Sequence, residues 1–154
     1  MADYPLFFTL TNEIRCARFA ARVVVQGRAL MTTEDGEWWC HGVEPGGLTE
    51  HGKGAALAYV AFKVALANVL TDLANDACSF DSFQSAAVSF VAELDRDESD
   101  RWEAARALIR SGEPVEDFFS RLKREAGQLP AGCQVDQIKH IQAAEERVAL
   151  AQAA

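Results

Sequence analysis

The stretch Glu37-Trp38-Trp39-Cys40-His41-Gly42-Val43, then Glu44-Pro45-Gly46-Gly47-Leu48-Thr49-Glu50-His51-Gly52-Lys53-Gly54, then an apolar run to Asp76, decides the fold. It reads as a strand, a glycine-rich turn and a long buried helix. Asp35-Gly36, just ahead of it, marks a tight hairpin, because that pair tolerates positive φ. Two tryptophans and Val43 favour a pleated, half-buried surface. Neighbouring side chains on a strand point to opposite faces, so Trp38 and Trp39 cannot share one core. One is expected to be buried. The other must meet the C-terminal helices or form a contact surface, where tryptophan is enriched. Pro45 stops the strand, and Gly46-Gly47 permit a backbone path closed to other residues.

The helix is expected over about 53–75. Tyr59, Phe62, Leu66, Val69, Leu70 and Leu73 form one apolar stripe, and Leu57, Val60 and Val64 form a second on another side. So wide an apolar surface implies cover on more than one side. Lys53, Lys63, Asn68 and Asp72 argue against a membrane span. Glycines before a helix can cradle phosphate. The spacing here matches neither the phosphate-loop nor the dinucleotide fingerprint, and Lys53 is not followed by Ser or Thr.

Outward from this stretch, residues 17–26 read as a strand with Phe19, Val23, Val24 and Val25, Gly27 interrupts it as a turn or a bulge, and Ala29 to Thr33 resume an extended pattern. Residues 4–11 alternate at Leu6, Phe8 and Leu10 and read as a short strand or arm, with Pro5 favouring an edge. After residue 79 the pattern is helical. Phe80, Phe83, Ala87, Phe90, Val91 and Leu94 follow one face, capped by Ser79 or Asp81. Residues 95–100 read as a charged break, with Ser99 or Asp100 capping a helix that carries Trp102, Ala105, Leu108 and Ile109. Further helices are expected from Pro114 to Gly127 and from Gln134 to Ala151. The fold class is therefore α+β: a small antiparallel sheet on one long helix in residues 1–78, followed by an all-helical extension, 79–154, packed on it.

The 154 residues allow one compact domain with a real core, and 49% hydrophobic and 25% charged residues are ordinary for a globular chain. The net charge of −8 disfavours broad, non-specific nucleic-acid binding and suits a basic protein partner. The first residues show no basic-then-apolar leader pattern. Cys16, Cys40, Cys78 and Cys133 form no Cys-x-x-Cys pair. They read as reduced thiols in a cytoplasmic protein.

From about Ala17 to Asp76 the chain resembles the HicB-like family of antitoxins. The resemblance rests on Glu34-Asp35-Gly36, Trp38-Trp39, Glu44-Pro45-Gly46-Gly47 and Thr49-Glu50 before an apolar helix. It implies a small sheet on one long helix, similar to a trimmed ribonuclease-H fold. It also implies a role in binding and blocking a small basic RNA-cleaving protein. The family's usual C-terminal DNA-binding element has no ribbon-helix-helix counterpart here. Residues 99–126 read as helix, turn and helix, but Glu116, Asp117 and Glu125 mix with Arg121, Lys123 and Arg124.

Catalytic chemistry has little to stand on. Cys40 and His41 face opposite ways on a strand, a poor arrangement for a thiolate–imidazole pair. His51 adds only one more ligand type to either. The acids at 95, 97, 98 and 100 read as a solvated run. Asp35, Glu37 and Glu44 do not make the acidic set a magnesium-dependent nuclease needs. The expectation is a non-enzymatic binding module with no metal or cofactor. Its candidate binding residues are Trp38, Trp39, Pro45, Gly46 and Gly47. A small-ligand or nucleic-acid binding protein on the same fold is the alternative, and a hydrolase with an unrecognised site comes after it. A homodimer through the sheet or the long helix is expected from the excess of apolar surface.

Overall fold

A computed structural model describes residues 3–112 and 132–138. Strand β1, Asp3–Arg15, pairs along its whole length with β2, Ala20–Glu34, from Asp3↔Thr32 to Arg15↔Ala20. Strand β3, Glu37–Glu44, follows through a turn in which Asp35 has φ 52° and Gly36 φ 80°. Positive φ at both central residues matches the twist of a hairpin, which is why Asp-Gly stands there. Strand β4, Thr49–Gly52, pairs outside β3. Helices α1 (Ala55–Asp76), α2 (Phe80–Ala92) and α3 (Arg96–Arg110) come next, and β5 (Gly132–Gln137) returns to the sheet. All pairings are antiparallel, and the architecture is α+β.

The middle strand is β2. It pairs with β1 through 20–32, with β3 through 28–34 and with β5 through 21–26. A strand has only two sides, so β3 and β5 lie end to end along the side that β1 leaves open. The expectation of helices alone after residue 79 is therefore corrected at Gly132–Gln137. That segment lies where a last helix was expected to begin. Its six residues, Gly-Cys-Gln-Val-Asp-Gln, are too few and too polar to show a clear strand period. The helix expected over Pro114–Gly127, and the rest of the last one, lie outside the described residues. Residues 4–11 belong to a full-length strand. Gly27 is no turn, since β2 continues through it opposite Phe8, and the register shift falls one step later, between Arg28 and Ala29.

One face of the sheet holds the main core. Tyr4, Leu6, Phe8 and Ile14 of β1 lie beside Ala21, Val23, Val25, Ala29 and Met31 of β2, with Cys40 and Val135 from their neighbours. Helix α1 meets them with Ala58, Phe62, Leu66, Leu70 and Ala74, a strict spacing of four that keeps one face inward. Phe62 meets Phe8 edge-on, with ring centroids 5.2 Å apart. Helix α2 adds Phe83, Ala87 and Val91, and Phe83 stacks on Phe19 at 5.3 Å. Its start is fixed by a reciprocal pair, in which Ser79 and Ser82 each accept from the other's backbone N–H.

Helix α3 crosses to the other face. It starts earlier than the sequence suggests. Asp95 is the cap, accepting from the Glu98 N–H at 3.1 Å, so the acidic run is the helix's first turn and not a break before it. Acids there favour the positive end of the helix dipole. Trp102 and Ala105 close on Leu30 and Val43 in a second small core. The Trp102 indole N–H donates to the Leu6 carbonyl at 3.2 Å, and the Arg28 and Arg106 guanidinium groups lie 5.1 and 5.3 Å from its ring centroid. Arg101 reaches Asp3 at 3.0 Å, so the same helix also closes over the edge strand.

Trp102→Ala should lower the unfolding free energy by about 3–5 kcal/mol, through the lost ring volume and the orphaned Leu6 carbonyl. Glu103→Ala, on the exposed side of the same helix, should change it by no more than about 0.5 kcal/mol. Urea titration of both variants measures the difference. Equal losses would mean that the second core contributes nothing.

Candidate functional site

Strand alternation divides the two tryptophans as expected. Trp38 turns to the main core and packs on Tyr4, with ring centroids 6.0 Å apart. Trp39 turns to the other face, beyond the part that α3 covers. Its ladder partner on β4 is His51 and on β2 is Thr32. The His51 ring lies 4.9 Å from Trp39, and the His41 ring lies 6.3 Å away and nearly parallel, at 8°. Three flat rings thus gather on one half-exposed strip of sheet.

The two imidazoles are held differently. His41 is gripped at both nitrogens: Nε2 is 3.1 Å from the Thr32 hydroxyl and Nδ1 is 3.3 Å from the Thr49 hydroxyl. Hydroxyls donate or accept as required, so either tautomer is satisfied and the ring plane is fixed. His51 Nδ1 lies 3.7 Å from a Glu37 oxygen, with both side chains about half exposed, so that contact is weak. Glu34 and Asp35 are exposed at the hairpin tip beyond Glu37. The result is an aromatic and imidazole strip with an acidic end. It offers ring faces for stacking and hydroxyl and imidazole groups for hydrogen bonds.

The turn residues do different work. The Gly42 N–H donates to the Leu48 carbonyl at 2.7 Å and closes the loop. Gly46 donates to the Glu93 carbonyl at 2.8 Å, while the Asp95 N–H donates to the Val43 carbonyl at 3.0 Å. A Cβ at Gly46 would collide with the Asp95 backbone, so glycine is needed for this close approach. Pro45 is buried and Gly47 exposed. The turn is thus a joint between β3 and the α2–α3 linker, and it keeps Pro45, Gly46 and Gly47 apart from the Trp39 strip. Of the five residues singled out in the sequence, only Trp39 lies on the strip. His51, Thr32 and Thr49 were not foreseen beside it. The one available signal was the alternation Thr49-Glu50-His51, which places Thr49 and His51 on one face once β4 is known to be a strand.

Cys40 lies on the opposite side of β3 from His41 and is fully buried, and burial pushes its thiol far above the usual range. No thiolate–imidazole pair forms between them. Cys133 is also pushed up by burial, to about 11. Among the described residues no group of three or more histidines, cysteines or acids is placed to hold a metal ion. No protein-family model, no characterised protein and no solved structure matches the chain.

The raised thiols carry a pH signature. A thiol in the unfolded chain ionises near 9.0, whereas Cys40 and Cys133 hold their protons when folded. Their share of the stability is fully present below that value and is lost as pH climbs from 9.0 towards 11. Wild-type protein should therefore lose stability over this range. A Cys40→Ala/Cys133→Ala variant, less stable overall, should show a flatter decline. Denaturant titrations at stepped pH compare the slopes. Parallel slopes would show that other groups cause the alkaline loss.

Proposed function

We propose that the chain is a non-enzymatic binding module and that the Trp39 strip is where it meets a small basic protein partner. The observation that carries this reading is a half-exposed tryptophan on an open sheet face, flanked by two imidazoles and leading to the acids Glu37, Glu34 and Asp35. Tryptophan is the side chain most enriched among residues that dominate interfaces, because it brings a large contact area at small entropic cost. Acidic surroundings, and a net charge of −8, select a basic partner and speed its approach. The fixing of His41 by two threonines agrees with recognition, since a held ring loses less freedom on binding. An antitoxin-like role and a cytoplasmic location belong to the same reading, and the HicB-like resemblance supports them. The long helix α1 on an antiparallel sheet is consistent with that resemblance.

A pull-down from source-cell lysate, with mass spectrometry, tests the proposal. Wild-type protein should retain one protein of basic composition. Trp39→Ala should reduce its recovery by at least about tenfold, the loss of a dominant interface residue. Glu34→Lys/Glu37→Lys should reduce it in a salt-dependent way. Both variants alter exposed or half-exposed positions and should unfold at nearly the wild-type temperature. Recovery unaffected by either variant would remove the strip from the interface. A small molecule seen by native mass spectrometry on the wild type alone would favour ligand binding instead.

A further inference from the structure

Among the described residues, the outward side of α1 carries the most exposed large hydrophobic side chains. Leu57, Val60 and Val64 are 61%, 56% and 53% exposed. They are spaced by three and four residues, so they stand in one line along the helix, on the side away from Phe62 and Leu66. Single exposed apolar residues are ordinary, but three in a row on one helix need a reason. Ala56, Ala61 and Ala67 flank the line, and their small side chains would let another helix come close. By length and composition α1 is apolar enough to cross a membrane, yet its other side is the centre of the main core.

The charges at the two ends of this line are ordered, and Lys63, to one side of it, lies over the Tyr59 ring at 5.3 Å. Lys53 stands just before the N-cap, Gly54, while Asn68 and Asp72 follow the apolar part and Asp76 ends the helix. The two ends of α1 are treated differently. Arg18 donates to the Ala77 carbonyl at 2.7 Å, so the negative end has its cation. The positive end has no side-chain cap and no acid in its first turn. A helix that is basic ahead of its apolar line and acidic behind it is complementary to itself when reversed.

We propose that this face is the docking surface for a second copy of the chain, with the two α1 helices antiparallel about a two-fold axis near Val60 and Ala61. Leu57 of one copy then lies opposite Val64 of the other, and the two Val60 side chains meet near the axis. The same register lays Lys53 opposite Asn68, one turn from Asp72, so a lysine can reach an aspartate at both ends of the pair. Two-fold symmetry makes every favourable contact count twice. An anionic membrane surface fits less well, because the chain carries −8 and the line has no row of basic residues beside it. The apolar line spans only about two helical turns. The contact is smaller than a standard interface, so the dimer should be weak and concentration-dependent. The Trp39 strip lies across the sheet from α1, so the two surfaces do not compete.

Sedimentation from low to high micromolar concentration, on the full chain, tests the proposal. The wild-type mass should rise from 16.8 kDa towards twice that value. Val60→Asp, at an exposed position, should remain monomeric throughout and keep the wild-type circular dichroism spectrum. Lys53→Glu and Asp72→Lys should each raise the dissociation constant about tenfold, since each reversal spoils two symmetry-related pairs. The double reversal Lys53→Glu/Asp72→Lys should restore most of the loss. A wild-type protein monomeric at every concentration would overturn the proposal. So would a dimer indifferent to Val60→Asp, which would place the contact elsewhere, at the β1 edge for example. Failure of the double reversal to restore association would overturn the antiparallel register. Val60-dependent flotation with neutral phosphatidylcholine vesicles, without self-association, would make the face a membrane contact and overturn the dimer. Trp39→Ala should leave the dimer intact, which separates this surface from the partner site.

Discussion

Three consecutive residues of β2, Ala29, Leu30 and Met31, are all fully buried. Consecutive strand residues point to opposite faces, so the sheet has to be covered on both sides at this point. Much of the remaining architecture follows from that demand. Helices α1 and α2 satisfy one face through Ala29 and Met31. The other face needs an element that crosses over, and α3 supplies Trp102 against Leu30 and Val43. The crossing is held at its start by the exchange of backbone hydrogen bonds between the β3 turn and the α2–α3 linker. That is why the Pro45-Gly46 turn is packed inward rather than offered to solvent.

Trp102 shows how a large aromatic ring is accommodated at a sheet edge. Its ring fills the second core, its N–H satisfies a carbonyl on β1, and two guanidinium groups lie close to its ring. Arg28 in turn is held by Glu44 at 3.3 Å and Glu103 at 3.7 Å. Phe7, on the edge strand, meets the Trp102 ring edge-on at 5.0 Å. A single side chain thus ties α3 to β1, β2 and β3. The cover is local, however, and it ends before Trp39. The same sheet face is therefore core at Leu30 and an open aromatic strip two residues further along β2, beside Thr32.

The surfaces that remain outside have different chemistries. The Trp39 strip is polar at its edges, with one imidazole, His41, fixed between two hydroxyls and with an acidic tip, which suits a partner that comes and goes. The α1 face is apolar and small-residue-rich, with ordered charge, which suits a helix like itself. Because they stand on opposite sides of one sheet, the proposed two-fold pair through α1 would present two strips outward. That geometry would let a dimer engage two basic partners at once.

The sequence by itself determined the elements whose signals are local. The period of α1, the Asp35-Gly36 hairpin, the start of α2 to within Ser79 or Asp81 and the opposite facing of Trp38 and Trp39 all follow from spacing and turn chemistry among near neighbours. Only the tertiary structure decided the rest. Strand β5 is a strand because its backbone pairs with β2, Val135 against Val23, and not because its six residues alternate clearly. Strand β4 is four residues long and takes its register from β3, and that register alone brings His51 and Thr49 to Trp39 and His41. Asp95 outcompetes Ser99 and Asp100 as the cap because its own N–H is fixed by the Val43 carbonyl, which sets where the helix can begin. Pairing, close approach and the choice of face depend on residues far apart in the chain, and no window of sequence contains both partners.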